Sequence, residues 1–210
     1  MVKIFNRLFS KLPRACISCK DLLKDNLMCP KCNKLQPFMQ RTYFNVLSDD
    51  KVIDIDQKAL RDNYIKLQDK YHPDKLAGQE DSEEVSAWLN KAYHTLKDPF
   101  QRYSYFLNLK GINIEEGDTI CDSDFFLRVM ETREEIEENA EIGNTVRLEQ
   151  IKLDTENQVK ELKKDIKSIL QSETRWDMFS VVDKVKSLMV KWKYLDGIIA
   201  AINEELLNLL

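Results

Sequence analysis

Glycine and proline are scarce in this 210-residue chain, five of each, which is too few for a turn-dense β-sandwich. Histidine is scarcer still, with only His72 and His94. No run of about 18 or more apolar residues occurs, so no membrane span is expected. Neither sign of charge dominates: 32 Lys and Arg against 36 Asp and Glu leave a formal net charge of −4. Bulk electrostatics therefore give no argument for a nucleic-acid partner. A Gly-rich phosphate loop, a nucleophile elbow and a paired-carboxylate arrangement are all missing. With no catalytic constellation, the chain is not expected to be an enzyme. No internal repeat or low-complexity segment is present. What remains is 43% hydrophobic and 32% charged, the composition of a helix-rich protein with a real core.

The first twenty residues are different. Lys3, Arg7, Lys11, Arg14 and Lys20 occur there, and no acid comes before Asp21. Ile4, Phe5, Leu8, Phe9 and Leu12 share a helical face. A basic, acid-free amphipathic start predicts a mitochondrial (matrix) targeting tail over residues 1–15, with a cytoplasmic pool left open. A solvated basic tail is the alternative, and the interrupting charges argue against a secretory signal.

Next come two cysteine knuckles, Cys16-x2-Cys19 and Cys29-x2-Cys32, joined by nine residues. Each supplies two thiolates, and the two together fill the tetrahedron that zinc prefers. The spacing predicts one structural Zn2+ site in a module over residues 16–36, with no open position for a catalytic water. Lys20, Lys24, Lys31 and Lys34 lie near enough in sequence to offset the net −2 charge. Disulfides would need an oxidising compartment. A redox-active dithiol would need a thioredoxin-like βαβ setting, and no strand pattern flanks either knuckle. Cys121 stands alone and reads as a bystander thiol. Asn33 to Arg41 reads as a linker.

Two helical patterns follow with a rigid tip between them. Leu60, Tyr64, Leu67 and Tyr71 make one face of a helix over Asp56 to Tyr71. Pro73 disfavours helical backbone at His72, so that helix should stop near Tyr71. Val85, Trp88, Leu89, Ala92, Tyr93 and Leu96 form a second stripe, broken by Asp98-Pro99. His94 falls on a helix surface. A short helix over Gln101 to Lys110 closes at Gly111. The hairpin with its His72-Pro73-Asp74 tip resembles the J domain of DnaJ-type co-chaperones, over residues 42–111. In that family the tripeptide contacts a DnaK-type chaperone and triggers its ATP hydrolysis. Lys66 and Lys70, one turn apart before the tip, are expected to face an acidic patch on that partner. A surface turn that spells the tripeptide by chance is the bland alternative.

Residues 118–210 read as a three-helix antiparallel bundle. Asp124 is the expected cap of a helix running to about Glu141, where Ile142-Gly143-Asn144 interrupts it. A long helix to about Gln171 carries Leu148, Ile151, Val159, Leu162, Ile166 and Ile169, with Thr155 as a polar gap. A last helix from about Trp176 repeats Val185, Leu188, Trp192, Leu195, Ile199, Ile202, Leu206 and Leu209. In the first of these helices Phe125, Val129, Ile136 and Ala140 make a buried stripe. Phe126, Leu127 and Met130 form a shoulder that cannot share it, continued by Glu131, Glu134 and Glu138. Tyr194 falls off its own helix's seam and should face outward. Such a patch is either a docking surface or packed against a neighbour, and periodicity alone does not choose.

These pieces, in this order, resemble the HscB family, J-domain co-chaperones of iron–sulfur cluster assembly. The likeness rests on Tyr43-Phe44-Asn45-Val46-Leu47, Tyr71-His72-Pro73-Asp74-Lys75 and Leu89-Asn90-Lys91-Ala92-Tyr93. It continues through Tyr105-Phe106-Leu107, Leu109-Lys110-Gly111, Phe126-Leu127 with Glu131-Thr132-Arg133-Glu134-Glu135, and Tyr194-Leu195-Asp196. The four-cysteine module is similar to the zinc domain of animal-type members. The resemblance implies a mitochondrial DnaK-type chaperone and an IscU-type scaffold as partners. The scaffold surface would be Phe126, Leu127, Met130, Glu131, Glu134, Glu138 and Tyr194, although the family mostly has Leu where Phe126 and Met130 stand. Self-association is left open. Competing readings are a J protein for another metal-linked pathway, a redox enzyme using the cysteine pairs, and a zinc-based nucleic-acid binder that the acidic chain disfavours. The diphthamide-synthesis co-chaperones are one instance of the first, but they place their zinc module after the J domain.

Overall fold

The computed structural model describes residues 14–23, 27–38, 41–48, 55–76, 81–114, 122–171 and 179–209. Residues 1–13 of the expected targeting tail (1–15), Cys121 and Trp176 lie outside the described residues. The chain divides into two units, Met1–Gly111 and Ile112–Leu210.

In the first unit, β1 (Arg14–Ala15) pairs antiparallel with β2 (Leu22–Leu23) around the first knuckle. A single bridge, Met28 with Leu35, brackets the second. These ladders correct the expectation that no strand flanks a knuckle. Pairs this short leave no alternation in the sequence to read.

Helix α1 (Tyr43–Leu47) opens with a capping box between Thr42 and Asn45. Helix α2 (Gln57–Tyr71) is capped by Asp56, whose carboxylate accepts the Lys58 N–H at 2.9 Å. Helix α3 (Ser82–Lys97) lies against it, and Leu60 and Tyr71 bury with Val85, Leu89, Ala92 and Leu96. Tyr64 and Tyr93 stack across this seam at 4.2 Å, and the Tyr64 hydroxyl donates to Asn90 at 2.7 Å. Helix α4 (Pro99–Leu109) begins two residues earlier than expected. The cause is Asp98, which caps it through the Gln101 N–H at 2.7 Å, with Pro99 pre-set for the first turn. Gly111 closes it at φ +78°, as a C′ glycine should.

The segment Asn33 to Arg41 is not a bare linker. Gln36 and Phe38 are each 4% exposed. Phe38 and Leu27 share one core cluster with Tyr71, Leu76, Val85 and Leu89. Burying a side chain of this size is worth roughly 1.5–3 kcal/mol, so the cysteine module and the helical hairpin fold around common apolar contacts.

The second unit is built from α5 (Ser123–Glu141), α6 (Thr145–Gln171) and α7 (Phe179–Asn208), each packed on the other two. The cap of α5 is Asp122, not Asp124: its carboxylate accepts the Phe125 N–H at 2.9 Å. Phe125, Val129 and Ile136 are buried as expected. Thr155 is also buried, at 3% exposure, and satisfies its hydroxyl by donating to the Ile151 carbonyl at 2.7 Å. In α6, Leu170 is buried where Ile169 was expected to lead. In α7 the buried set is Val185, Met189, Val190, Trp192, Leu195, Ile198 and Ile202, while Leu188, Ile199 and Leu206 are half-buried and Leu209 is exposed. A helix that serves two partners needs a wider apolar face than a two-position heptad seam provides.

Candidate functional site

Tyr71 and Leu76 are buried on either side of the loop between α2 and α3, at 1% and 6% exposure. Between them, Pro73–Lys75 make one 3-10 turn. His72 stays extended at ψ 138°, as a residue before proline must, and its carbonyl accepts the Lys75 and Leu76 N–H groups at 2.9 and 3.1 Å. Its Nδ1 accepts the Asp74 N–H at 3.3 Å. Lys75 is held back by Asp69 at 2.5 Å, leaving the Asp74 side chain 88% exposed. The loop is thus a fixed turn that presents a carboxylate to solvent. Lys66 and Lys70 are exposed on the preceding helix, and the Lys70 ammonium lies 5.1 Å from the centre of the Tyr71 ring.

The two knuckles repeat one backbone pattern. Lys20 and Asn33, each following the second cysteine of its pair, take positive φ of 63° and 55°. Lys20 N–H donates to the Cys16 carbonyl at 3.0 Å and Asn33 N–H to that of Cys29 at 2.9 Å. These turns bring the four sulfurs within 4.8 Å of one another. Cys16 to Cys32 and Cys19 to Cys29 are each 3.6 Å, beyond any disulfide bond, and all four thiols are free. A tetrahedron with metal–sulfur bonds of about 2.3 Å has edges of about 3.8 Å, so the donor set fits a tetrahedral divalent metal. The Cys19 N–H aimed at Cys16 Sγ, helped by that of Ser18, pulls the Cys16 thiol down to about 6 against its burial. For Cys19 the Asp21 N–H also pulls down, but burial and the sulfurs of Cys29, Cys16 and Cys32 outweigh it, and the thiol rises to about 12. One thiolate forms readily and the next does not. A divalent cation held between the sulfurs would favour the thiolate form of its ligands.

On α5 the shoulder divides in two. Leu127 and Met130 are 60% and 59% exposed, and Glu131, Glu134 and Glu138 are exposed beside them. Phe126 and Tyr194 are half-buried against each other, edge to face at 5.1 Å. All seven residues therefore come to one surface of the bundle, two of them through a shared aromatic contact. A cleft that adjoins the patch at Glu131, with a volume of about 250 Å³ and lined also by Phe125, Arg128, Thr132, Thr155 and Gln158 among others, is smaller than the ~300–1,000 Å³ of ordinary small-molecule sites. Among the described residues no helix is long and apolar enough to cross a membrane.

Two participants gave no warning in the sequence. Gln36, a residue type usually found at the surface, is buried against the cysteine tetrad. Lys191 reaches Asp122 at 2.5 Å and locks the start of α5.

Comparison with known proteins bears on the same features. The family model described as "DnaJ domain" matches residues 42–105, and that described as "HSCB C-terminal oligomerisation domain" matches residues 121–203. The "Iron-sulfur cluster co-chaperone protein HscB" of Mus musculus is 30% identical over 181 residues, 83% of this chain and 73% of that protein. The "Co-chaperone protein HscB" of Proteus mirabilis is 39% identical over 102 residues, 46% of this chain and 59% of that protein. The crystal structure of human co-chaperone protein HscB matches with a TM-score of 0.72 at 24% identity, over 92% of this chain and 99% of that one, which bears on the fold. An exposed His72-Pro73-Asp74 turn on such a hairpin defines a J-domain co-chaperone, a class that regulates a partner's ATPase rather than catalysing a reaction itself. The chain belongs to the HscB family, the co-chaperones of iron–sulfur cluster assembly.

Proposed function

We propose that this chain stimulates ATP hydrolysis by a DnaK-type chaperone and brings to it an IscU-type scaffold, promoting transfer of the iron–sulfur cluster. The turn His72-Pro73-Asp74, with Lys66 and Lys70, makes the chaperone contact. The scaffold docks on Phe126, Leu127, Met130, Glu131, Glu134, Glu138 and Tyr194. Zn2+ is the metal held by Cys16, Cys19, Cys29 and Cys32, and its part is structural: it cross-links the two knuckles. A mitochondrial matrix location, with a cytoplasmic pool left open, is the reading that the basic, acid-free amphipathic segment supports.

The observation that carries the docking reading is the exposure of Leu127 and Met130 at 60% and 59%. The stripe of Phe125, Val129 and Ile136 already serves the core, so these side chains have another use. An apolar patch rimmed by carboxylates suits a partner with an apolar centre and basic edges. Calorimetric titration of an IscU-type protein into the parent and into a variant with Phe126, Leu127, Met130 and Tyr194 all changed to Ala tests it. Affinity should fall at least thirtyfold, the equivalent of about 2 kcal/mol. Undiminished binding by the variant removes this surface from the mechanism. The family description favours a second reading, in which the bundle pairs with a copy of itself. In that case the quadruple variant changes the sedimentation of the chain alone, which scaffold docking does not require.

A further inference from the structure

Gln36 lies outside the cysteine set, four residues beyond Cys32, yet it is 4% exposed. A buried amide must satisfy a carbonyl oxygen and two N–H groups, and here each has a partner. Oε1 accepts the Ile17 N–H at 3.1 Å. Nε2 donates to Cys16 Sγ at 3.4 Å and to the Lys34 and Leu35 carbonyls at 2.8 and 3.2 Å. Only this orientation of the amide works. Reversed, it would set N–H against the Ile17 N–H and turn an oxygen toward a thiolate and two carbonyls.

The partners lie on both knuckles: Ile17 is inside the first turn, while Lys34 and Leu35 follow the second. The position is fixed as well. Gln36 N–H donates to the Leu27 carbonyl at 2.8 Å, and Leu35 and Phe38 on either side pack into the core shared with Tyr71 and Leu89. Cys16 itself is fully buried, so water does not solvate its charge. Its sulfur instead takes the N–H groups of Ser18 and Cys19 at 3.4 and 3.5 Å and the Gln36 amide as a third donor.

We propose that Gln36 is a positioning residue of the metal centre: its amide orients the Cys16 thiolate, delocalises its charge and sets how firmly the metal is held. Donors of this kind act through the ligand rather than on the metal, and their loss typically lowers metal affinity about 10–100-fold. The inference rests on the cysteine tetrad binding a metal, so the parent must be examined first.

The test uses the full chain loaded with Co2+ under reducing conditions, together with Gln36→Met, which keeps the length and bulk but has no donor. Two quantities are read: the sulfur-to-cobalt charge-transfer band and the rate at which EDTA strips the metal. Gln36→Met should shift the band and accelerate release about 10–100-fold. Gln36→Asn, which retains the amide one methylene shorter, should fall between Met and the parent and guards against a Met variant that fails to fold. A purely space-filling Gln36 would leave the band in place in both variants. Parent-like bands and release rates in both overturn this proposal alone, whereas a parent that takes up no cobalt overturns the metal reading and this proposal with it.

Discussion

Exposure separates neighbouring residues of α5 by task. Phe125 is 6% exposed and Leu127 60%, two positions apart on one helix. Phe125→Ala should cost about 3–5 kcal/mol of unfolding free energy, and Leu127→Ala no more than about 0.5 kcal/mol. Phe126→Ala lies between, because it loses an aromatic pair with Tyr194 worth roughly 0.5–1.5 kcal/mol. Urea unfolding followed by circular dichroism measures all three, and equal costs would contradict the division. Asp122 makes a second case. The Lys191 ammonium, then the Phe125 N–H, hold its carboxyl below the usual carboxylate range. The folded state therefore binds that proton more weakly than the unfolded one. The stabilisation is present above the ordinary value of about 3.9 and is lost as pH falls through the depressed one. Asp122→Asn should lower the melting temperature at pH 7, and the gap from the parent should close in acid. A gap that stays constant down to pH 3 would show that the carboxylate is not the source.

At the scale of elements, the cysteine module and the loop share one apolar core. Leu27 and Phe38 pack in one cluster with Tyr71 and Leu76, the two anchors of the His72-Pro73-Asp74 turn. Stripping the metal with a chelator under reducing conditions should speed hydrogen exchange at the Lys75 and Leu76 amides, which now bond to the His72 carbonyl. The amides of α5 to α7 should not respond, since their cores involve neither knuckle. Unchanged exchange in the loop would mean that the module is an independent attachment. None of this coupling was legible in the sequence. The segment Asn33 to Arg41 looked like a linker because its polar residues hid two apolar anchors, Leu35 and Phe38, whose partners lie dozens of residues away. The helices themselves were legible: Leu60 to Tyr71 and Val85 to Leu96 carry clean helical steps, and Gly143, at φ +67°, marks the break before α6. Elsewhere the competing signals are local. Asp122 and Asp124 are both good caps, and only the position of the Phe125 N–H decides between them. In α7, Met189 and Ile198 replaced Leu188 and Ile199 because packing on two helices widened the face. Of the candidate site, the residue types and spacings were readable, while the division of the α5 shoulder into exposed and half-buried members required the third helix to be in place.

Taken as a whole, the molecule carries its two proposed contacts on different units, the loop on Met1–Gly111 and the docking face on Ile112–Leu210. Mutations should therefore separate them: changes at Asp74 leave scaffold affinity intact, and changes at Leu127 and Met130 leave stimulation by the chain alone intact. Contributions from Lys66 and Lys70 should fade as salt rises, because exposed charges are screened over about 10 Å at 0.1 M. The Asp74 carboxylate is held out to solvent by a turn whose ends are buried, and a charge-assisted hydrogen bond to a cationic partner group is worth roughly 1.5–3 kcal/mol. The most direct test is single-turnover ATP hydrolysis by a DnaK-type chaperone, with the parent or the Asp74→Asn chain added beside an IscU-type scaffold. The parent should accelerate hydrolysis and Asp74→Asn should not, although it melts at the parental temperature and binds the scaffold equally well. Full acceleration by Asp74→Asn would contradict the account.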